Sequence, residues 1–559
     1  MLMKKLSFWI VFVFLMACQS VNQNTDSKAA QKMVIPEWVS YDESAQLVVN
    51  ENHENPRMRY KLIQSKSLDK NKIWKRIEGQ LDNFSETDYE RLKPLILEQE
   101  ILILQNHIAT GKLTYEQLTQ WYLFRILKFE NNPETTLHSI IDLNPEAVAL
   151  ARTCDQQRTH KEHPIFGIPI LVKDNINTKG MKTTAGAEVL KDNQTEDAFI
   201  IQQIKNKGGI ILGKANLSEW AYFFCEGCPV GYSAVGGQTL NPYGRHVFET
   251  GGSSAGSGTT MAANYAAAAI GTETAGSILS PSSQNSVVGL KPTIGLLSRS
   301  GIVPISSALD TPGPMTRNVQ DNAILLSAMF GKDSADPATS RNPLLEIDGA
   351  AIKTADLKRL RLGVNEDFLS DSIYNLTVDR LKAAGATLIK FKPSEISFPD
   401  FVTFLNADMK QDLPAYLNSA VGSAVTVRSI ADVVEFNLKD TLNRIPYGQG
   451  YFEGIVAEDI SEADFTKMKK EYKTKAAAYF TGPMEKYNLD AILSINNYSA
   501  GQAAMAQFPC LTVPMGYKEI GEPISLTFIA KPWEEMKLLE MGSAFEQLTK
   551  VRKMPKGYR

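Results

Sequence analysis

The chain lacks an excess of charge of either sign, and its body lacks a long apolar run. The 59 Lys and Arg residues nearly balance the 62 Asp and Glu residues, which leaves a net charge of −3. Such a balance provides no basic field, so we expect no nucleic-acid partner. Nowhere does the sequence contain the roughly 20 consecutive apolar residues that a membrane-spanning helix needs.

Cysteine and histidine are also scarce, with five and six residues in a chain of 559. Cys225 and Cys228 have C-x-x-C spacing, but neither a second such pair nor a nearby pair of histidines completes a zinc site. A local disulfide or two ordinary thiols therefore fits the spacing better than metal or redox chemistry. We expect no bound metal.

The N-terminus resembles an export signal. Lys4 and Lys5 precede an apolar run of eleven residues, 6–16, which is too short to cross a bilayer and typical of a secretory signal. The run ends in L-M-A-C, which resembles a bacterial lipobox with Cys18 as the lipidated residue. A plain cleaved signal with an incidental cysteine is the alternative. We expect residues 1–18 to be a signal peptide and the protein to be exported, with a lipid anchor as its sole membrane contact.

Beyond the signal, the pattern predicts a tether and N-terminal extension over residues 19–84, followed by one domain over 85–559. Thr114 and Gln117 form a capping box that opens a helix. Strands and helices then alternate, which favours an α/β fold with a large buried sheet. The clearest segments are helices at 145–153, 198–207 and 255–265 and strands at 166–173, 209–212, 266–271 and 510–515. Asn216 to Glu219 is expected to cap a further helix. Residues of about 340–490 are expected to be helical and to shape a substrate pocket.

Two clusters of glycine and serine, within residues 250–281, flank one predicted helix and one strand. A single cluster of this kind is ordinarily a turn or a helix cap. Gly252 to Gly256 also fits the G-x-S-x-G nucleophile elbow, but that fold requires a histidine after the serine. All six histidines precede Ser254, so the elbow hypothesis fails.

A nearby segment, Gly208 to Lys214, imitates the phosphate-binding G-x-x-x-x-G-K loop. Ala215 stands where that loop needs Ser or Thr, and the intervening residues are those of a buried strand. A strand end is the better interpretation. A third hypothesis is a serine nucleophile with a lysine base, for which Lys173 stands at the end of an apolar strand.

Five segments in this order resemble the motifs of the amidase-signature family. They read G-I-P-I-L-V-K-D-N-I, T-G-G-S-S-A-G-S, G-T-E-T-A-G-S-I, V-G-L-K-P-T-I-G and D-T-P-G-P-M. The resemblance covers about residues 85–330, with weaker similarity to the C-terminus, and bacterial peptide amidases are the most similar subgroup. It implies a single large α/β domain whose central mixed β-sheet is covered by helices on both faces, with core segments at about 85–330 and 490–559.

The resemblance also implies the catalytic groups. Ser277 would be the nucleophile, Lys173 the base, and Ser253 the bridging serine, which the family holds through a cis Gly252–Ser253 peptide. Lys173 must then be neutral, and lowering its pKa from about 10.4 to about 7 costs about 4.6 kcal/mol, which burial can supply. We therefore expect Lys173 to be buried, hydrogen-bonded to Ser253 and unpaired with any carboxylate.

The same resemblance assigns the oxyanion hole to backbone N–H groups of Thr274, Ala275, Gly276 and Ser277. It predicts an amidase that converts a carboxamide to a carboxylic acid and ammonia or an amine, with no metal or organic cofactor. Small-molecule amides and the C-terminal amides of peptides are the candidate substrates.

Three positions depart from the pattern of many relatives. Ala275 replaces a glycine, which is tolerable if its φ is negative. Glu273 replaces an aspartate and is expected just behind the site. Leu279 stands where relatives that act on glutamine or fatty amides often have arginine, which disfavours those substrates.

Two other functions stay open from the sequence. One is a cytoplasmic amidotransferase A-type subunit, against which the export signal argues. The other is a catalytically inactive exported lipoprotein that binds amides or peptides, against which the complete Ser-Ser-Lys set argues. The oligomeric state is also open.

Overall fold

The computed structural model describes residues 32–159, 162–344 and 346–559. The predicted signal peptide, the lipidation site Cys18 and the first part of the 19–84 segment lie outside the described residues. Across the part of the chain that is described, no helix combines the length and the apolarity needed to cross a membrane.

Helices account for much of the described chain. Their bounds are α1 Ser44–Asn50, α2 Lys70–Arg76, α3 Glu86–Ile96, α4 Ile101–Ala109, α5 Tyr115–Glu130, α6 Ala147–Gln157, α7 Phe199–Asn206, α8 Ala255–Ala262, α9 Leu279–Gln284, α10 Val319–Met329, α11 Ser372–Ala383, α12 Phe401–Ser419, α13 Ile430–Leu438, α14 Thr441–Arg444, α15 Gly450–Ala457, α16 Glu462–Tyr487, α17 Ala500–Ala506 and α18 Glu535–Thr549.

The strands form one large sheet and one small hairpin. Their bounds are β1 Ile140–Leu143, β2 Pro169–Lys173, β3 Ile210–Ala215, β4 Tyr232–Ser233, β5 Gly237–Gln238, β6 Ala268–Glu273, β7 Val288–Lys291, β8 Thr311–Thr316, β9 Arg361–Asn365, β10 Thr387–Phe391, β11 Ala491–Ile495, β12 Cys510–Tyr517 and β13 Pro523–Ile529.

The large sheet is mixed and runs in the order β1-β3-β2-β6-β8-β7-β12-β13-β11-β9-β10. Strand β2 is parallel to both of its neighbours, β3 and β6, whereas β12 and β13 are antiparallel. Helices flank the sheet, with α8 packed against β6, α10 against β8 and α18 against β12. The predicted fold class, one α/β domain with a central mixed sheet, is confirmed.

The best-patterned segments fold as expected. Thr114 and Gln117 form the capping box that opens α5, and the predicted strand at 510–515 is β12, which returns to the main sheet between β7 and β13. The phosphate-loop imitation is indeed a strand end, because 210–215 is β3 and the Lys214 ammonium is buried against the Asp174 carboxylate at 3.1 Å.

One predicted helix is wrong. Asn216 to Glu219 was expected to cap a helix, but only a short 3₁₀ turn, Glu219–Tyr222, follows, with Trp220 and Ala221 at φ values of 49° and 56°. The physical reason is that the Asn216 side chain forms hydrogen bonds with distant segments of the chain. Its amide group donates to the carbonyls of His138 and Gly237 and to the Thr239 hydroxyl, which ties three loops together.

The region of about 340–490 contains more than helices. It supplies α11 to α16 but also β9 and β10, which extend the main sheet at one edge. Apolar and polar residues alternate only weakly in these two strands. Strand β10 lies at the edge of the sheet with Thr387 and Lys390 exposed, so its sequence does not resemble that of a buried strand.

The described part of the N-terminal extension packs on the domain. Trp38, Ile63 and Trp74 are buried in the main hydrophobic core. The carboxylate of Glu43 accepts hydrogen bonds from the backbone N–H groups of Ile63 and Gln64, and the Ile63 carbonyl accepts one from Gln238 in β5. From residue 32 onward, the segment is thus part of the folded body.

Candidate active site

The parallel pairing of β2 and β6 brings Lys173 beside Thr272. Val172 is paired with Ile270, so the carboxyl ends of the two strands meet at one edge of the sheet. The Lys173 Nζ donates to the Thr272 hydroxyl at 2.8 Å and to the Thr272 carbonyl at 3.2 Å. Its third hydrogen bond goes to Ser253 Oγ at 2.7 Å. Lys173 is 0% exposed, so its Nζ, with three protein hydrogen-bond partners, is shielded from water.

Burial lowers the pKa of Lys173 to about 7, against a smaller opposing effect of the Asp310 and Glu273 charges. Among the described residues, no carboxylate forms an ion pair with its Nζ. Because this pKa lies near neutrality, roughly half of the Lys173 side chains are the neutral amine at pH 7, and a neutral amine can accept a proton.

Ser253 lies between β6 and the start of α8. Its peptide bond with Gly252 is cis, its carbonyl accepts a hydrogen bond from the Ser218 N–H at 3.0 Å, and its hydroxyl contacts Lys173. Helix α8 approaches β3 closely here, because a side chain at Gly256 would come within 2.5 Å of the Asn216 backbone. The glycine-rich composition of this segment therefore serves close packing around Ser253.

Ser277 is held by a backbone hydrogen bond to Ser254, the residue that follows Ser253. The Ser277 carbonyl accepts a hydrogen bond from the N–H of Ser254 at 3.2 Å, and the residue itself is partly exposed. Behind it, the buried Glu273 carboxylate accepts hydrogen bonds from the N–H groups of Ile278 and Leu279 at 2.7 and 2.9 Å. Glu273 thus fixes the turn between β6 and α9 that carries Ser277.

The predicted oxyanion donors lie on this turn. The N–H groups of Thr274, Ala275 and Ser277 make no hydrogen bond to another described residue. The N–H of Gly276 instead interacts with the Glu273 carboxylate and lowers its pKa, against the larger raising effect of burial. Gly276 has φ of 103°, a conformation that favours glycine, whereas Ala275 is not in the left-handed region, as its methyl group requires.

A cavity of about 440 Å³ adjoins these groups. Thr272 and Thr274 form part of its wall, together with the 299–312 segment and the α12 helix. The Thr274 hydroxyl donates to the Asp310 carboxylate at 2.5 Å, and burial raises the pKa of Asp310 to about 6. The cavity reaches Thr274, the first residue of the turn that carries Ser277.

Comparison with known proteins identifies the family. A family model described as amidase matches residues 118–539. A probable amidase from Arabidopsis thaliana is 37% identical over 493 residues, which cover 83% of this chain and 93% of that protein. This chain belongs to the amidase family.

Solved structures of amidases agree with that assignment. An amidase family protein from Bacillus anthracis has a TM-score of 0.84 at 35% identity, with 88% of this chain and 100% of that chain covered. The native peptide amidase from Stenotrophomonas maltophilia has a TM-score of 0.76 at 35% identity, with 82% and 98% covered. The protein is an amide-hydrolysing enzyme of the amidase-signature type, as the sequence motifs predict.

Several residues of this amidase's site were missed in the sequence. Thr272 supplies two of the three acceptors for Lys173, and Asn175 donates to the Thr272 hydroxyl at 3.0 Å. Asp310 lies in the D-T-P-G-P-M segment, which carried no assigned role. Their positions in the sequence could have identified Thr272 and Asn175, because both belong to motifs that contain a predicted catalytic residue.

Cys225 and Cys228 form a disulfide in this amidase, one of the two alternatives that their spacing left open. The two residues just before this disulfide pack on α15. The Phe224 carbonyl accepts a hydrogen bond from the Tyr451 N–H at 3.1 Å, and the rings of Phe223 and Tyr451 stack at 4.7 Å between centroids. The disulfide therefore stabilises a wall near the cavity, on which Ala221 also lies.

Proposed function

We propose that this amidase hydrolyses a carboxamide through an acyl-enzyme on Ser277, with Ser253 and Lys173 as a proton relay. The observation that carries the proposal is the buried Lys173, which contacts Ser253 Oγ at 2.7 Å and has no carboxylate partner among the described residues. Burial of an amine costs free energy, and an apolar residue would fill the same space without that cost. The burial of Lys173 therefore supports a chemical function.

In the proposed first half-reaction, Ser277 Oγ attacks the amide carbon. Its proton passes to Ser253 Oγ as the Ser253 proton passes to the neutral Lys173 amine. The free N–H groups on the 274–277 turn stabilise the oxyanion, for which one donor is worth about 3 kcal/mol. The protonated Lys173 then returns a proton through Ser253 to the leaving nitrogen. Water attacks the resulting ester by the same route and releases the carboxylic acid.

Among amides, we propose the C-terminal amide of peptides or small amino-acid amides. The similarity to a peptide amidase and the presence of Leu279 in place of an arginine support this choice. An amidotransferase A-type subunit is disfavoured by the same substitution. The N-terminal pattern supports an exported enzyme, lipidated at Cys18. A Cys18→Ser chain should then lose incorporation of labelled fatty acid in a bacterial host, and retained label would reject that part.

The relay is tested by ammonia release from a panel of carboxamides. Ser277→Ala and Lys173→Ala should each lose at least about 1,000-fold in kcat/KM, and the lysine variant should recover in part at high pH. A fluorophosphonate probe should label the wild type at Ser277.

Ser280→Ala, which removes a hydroxyl three residues further along the chain in helix α9, serves as the control and should be labelled and active. If the probe leaves Ser277 unmodified, or if Ser277→Ala retains activity, the alternative of an inactive amide-binding protein is favoured instead.

A further inference from the structure

Charges in the wall of the 440 Å³ cavity do not cancel. Arg299 and Asp336 neutralise each other, because the guanidinium donates to both carboxylate oxygens at 2.6 and 2.8 Å. Asp310 and Asp412 also line the cavity, yet neither forms an ion pair with a cation of the described residues. Lys469, a cation of the neighbouring helix α16, is bound instead to Asp408 at 2.6 Å.

The hydrogen bonds of the two carboxylates are unequal. Asp310 is fully committed, since it accepts from the Thr274 hydroxyl and from the N–H groups of Ile305 and Ser306. Asp412 accepts from the Ser307 N–H at 2.5 Å and interacts with the Ser307 hydroxyl, and it is half-buried. Asp412 has a single residue as its hydrogen-bond partner, whereas Asp310 has three, so Asp412 is the carboxylate that keeps acceptor capacity for a ligand.

A second, independent feature of the cavity is a buried hydrogen-bond acceptor without a donor among the described residues. Asn175 lines it, is 2% exposed, and its amide oxygen has no hydrogen-bond partner among the described residues. Buried amide oxygens are ordinarily satisfied, so an unpartnered one at a cavity wall marks the place of a donor from a ligand. Asn175 contacts Thr272, the residue that holds Lys173, which places that donor beside the reacting groups.

The rest of the wall suits an aliphatic chain. Ile302, Val303, Pro304 and Ile305 supply apolar surface along one side. A side chain with an aliphatic stem and a cationic end can bury the stem against such residues while its charge meets a carboxylate.

We infer that the cavity selects amides that carry a positive charge, an ammonium or guanidinium group on a short aliphatic stem, and that Asp412 is the residue that recognises the charge. This inference rests on the proposed amide hydrolysis and specifies its substrate class. A neutral amide of the same shape would leave the Asp412 carboxylate unpaired, and an anionic amide would meet two like charges.

The test uses a matched pair of ligands, N-acetyl-arginine amide and N-acetyl-citrulline amide, which differ in charge and hardly in shape. Calorimetric binding to the full-length Ser277→Ala protein removes turnover from the measurement. The arginine amide should bind at least about tenfold more tightly than the citrulline amide. Asp412→Asn, which keeps the oxygen that accepts from the Ser307 N–H, should reduce this ratio to less than about threefold.

Two further variants control the test. Asp412→Glu restores the charge and should retain most of the preference. Asp379→Asn removes an exposed charge of the distant helix α11 and should leave the ratio unchanged. Equal affinity for the two amides, or a preference that survives in Asp412→Asn, would overturn the inference.

Measuring ammonia release by the wild type distinguishes a failure of the charge preference from a failure of the proposed amide hydrolysis. Turnover of both amides at similar kcat/KM would reject the charge preference and retain the hydrolase. A binding preference without any turnover would support the cavity assignment and reject the proposed catalysis.

Discussion

At the scale of single residues, three lysines at or near the ends of strands β2, β3 and β7 of the main sheet are fully buried but differ in their partners. Lys214 is paired with Asp174, and Lys291 donates to the Phe508 carbonyl at 2.6 Å. Burial lowers the pKa of Lys291, against smaller raising effects of Cys510, Glu273 and Glu535. Lys173 has hydroxyl and carbonyl acceptors instead. A carboxylate would stabilise the ammonium form, so its replacement by hydroxyl groups keeps Lys173 able to accept a proton.

Activity should therefore follow the protonation of Lys173. Because the neutral amine is the active form, kcat/KM should rise as pH increases through about 7, the pKa that burial produces. Lys173→Arg, which keeps the positive charge at all accessible pH values, should be inactive throughout. The exposed Lys179→Arg is the matched control and should show the wild-type profile. A profile that is flat between pH 6 and pH 8 would contradict this assignment of the base.

The free energy of unfolding should also depend on the protonation of Lys173. The pKa of Lys173 is lower in the folded state than in the unfolded state, so the unfolded chain binds the extra proton between about pH 7 and pH 10.5 and stability rises across that window. The free energy of unfolding of the wild type, measured relative to Lys173→Met by urea denaturation, should therefore increase by up to about 5 kcal/mol from pH 7 to pH 10.5. A difference that stays constant over this range would show that Lys173 is not desolvated.

At the scale of elements, the 225–228 disulfide directly follows Phe223 and Phe224, the residues that pack on α15. Closing so short a loop restricts the unfolded chain and is worth about 2 kcal/mol. The double variant Cys225→Ser, Cys228→Ser should lose about that much free energy of unfolding and become insensitive to a thiol reductant. The wild type should fall to the same value when it is reduced, whereas a reductant effect that persists in the double variant would assign it to another site.

The elements also show how far sequence reasoning reaches. Strand β2, helix α8 and strand β6 were predicted because each has a clear period or a family motif, and their order implies that Lys173, Ser253 and Ser277 converge. The turn at 219–222 and strands β9 and β10 were not, because long-range contacts determine them. The Asn216 side chain bonds to two distant segments, at 138 and at 237–239, and β9 gains its place by pairing with β11, more than a hundred residues away. Asp412 was missed because its helix carries no motif.

At the scale of the whole molecule, the N-terminal extension contributes a buried charge as well as apolar side chains. Lys70 in α2 is the cation of the buried Glu130 carboxylate, at 3.5 Å, and also donates to the Thr136 hydroxyl at 2.7 Å. Glu130 in turn accepts a hydrogen bond from the Ser139 hydroxyl beside β1, so the extension is tied to the edge of the sheet.

Removal of the extension should therefore destabilise the folded domain, which removal of a mere tether would not do. A chain that begins at residue 85 would expose the core around Trp74 and leave Glu130 buried without its cation, a loss of about 3–5 kcal/mol from the ion pair alone. Its thermal unfolding temperature should fall well below that of a chain that begins at residue 32, which retains every contact described for the extension. Lys70→Met tests the charge separately and should destabilise the protein in the same direction. Equal unfolding temperatures for the two truncated chains would mean that residues 32–84 lie on the domain without supporting it.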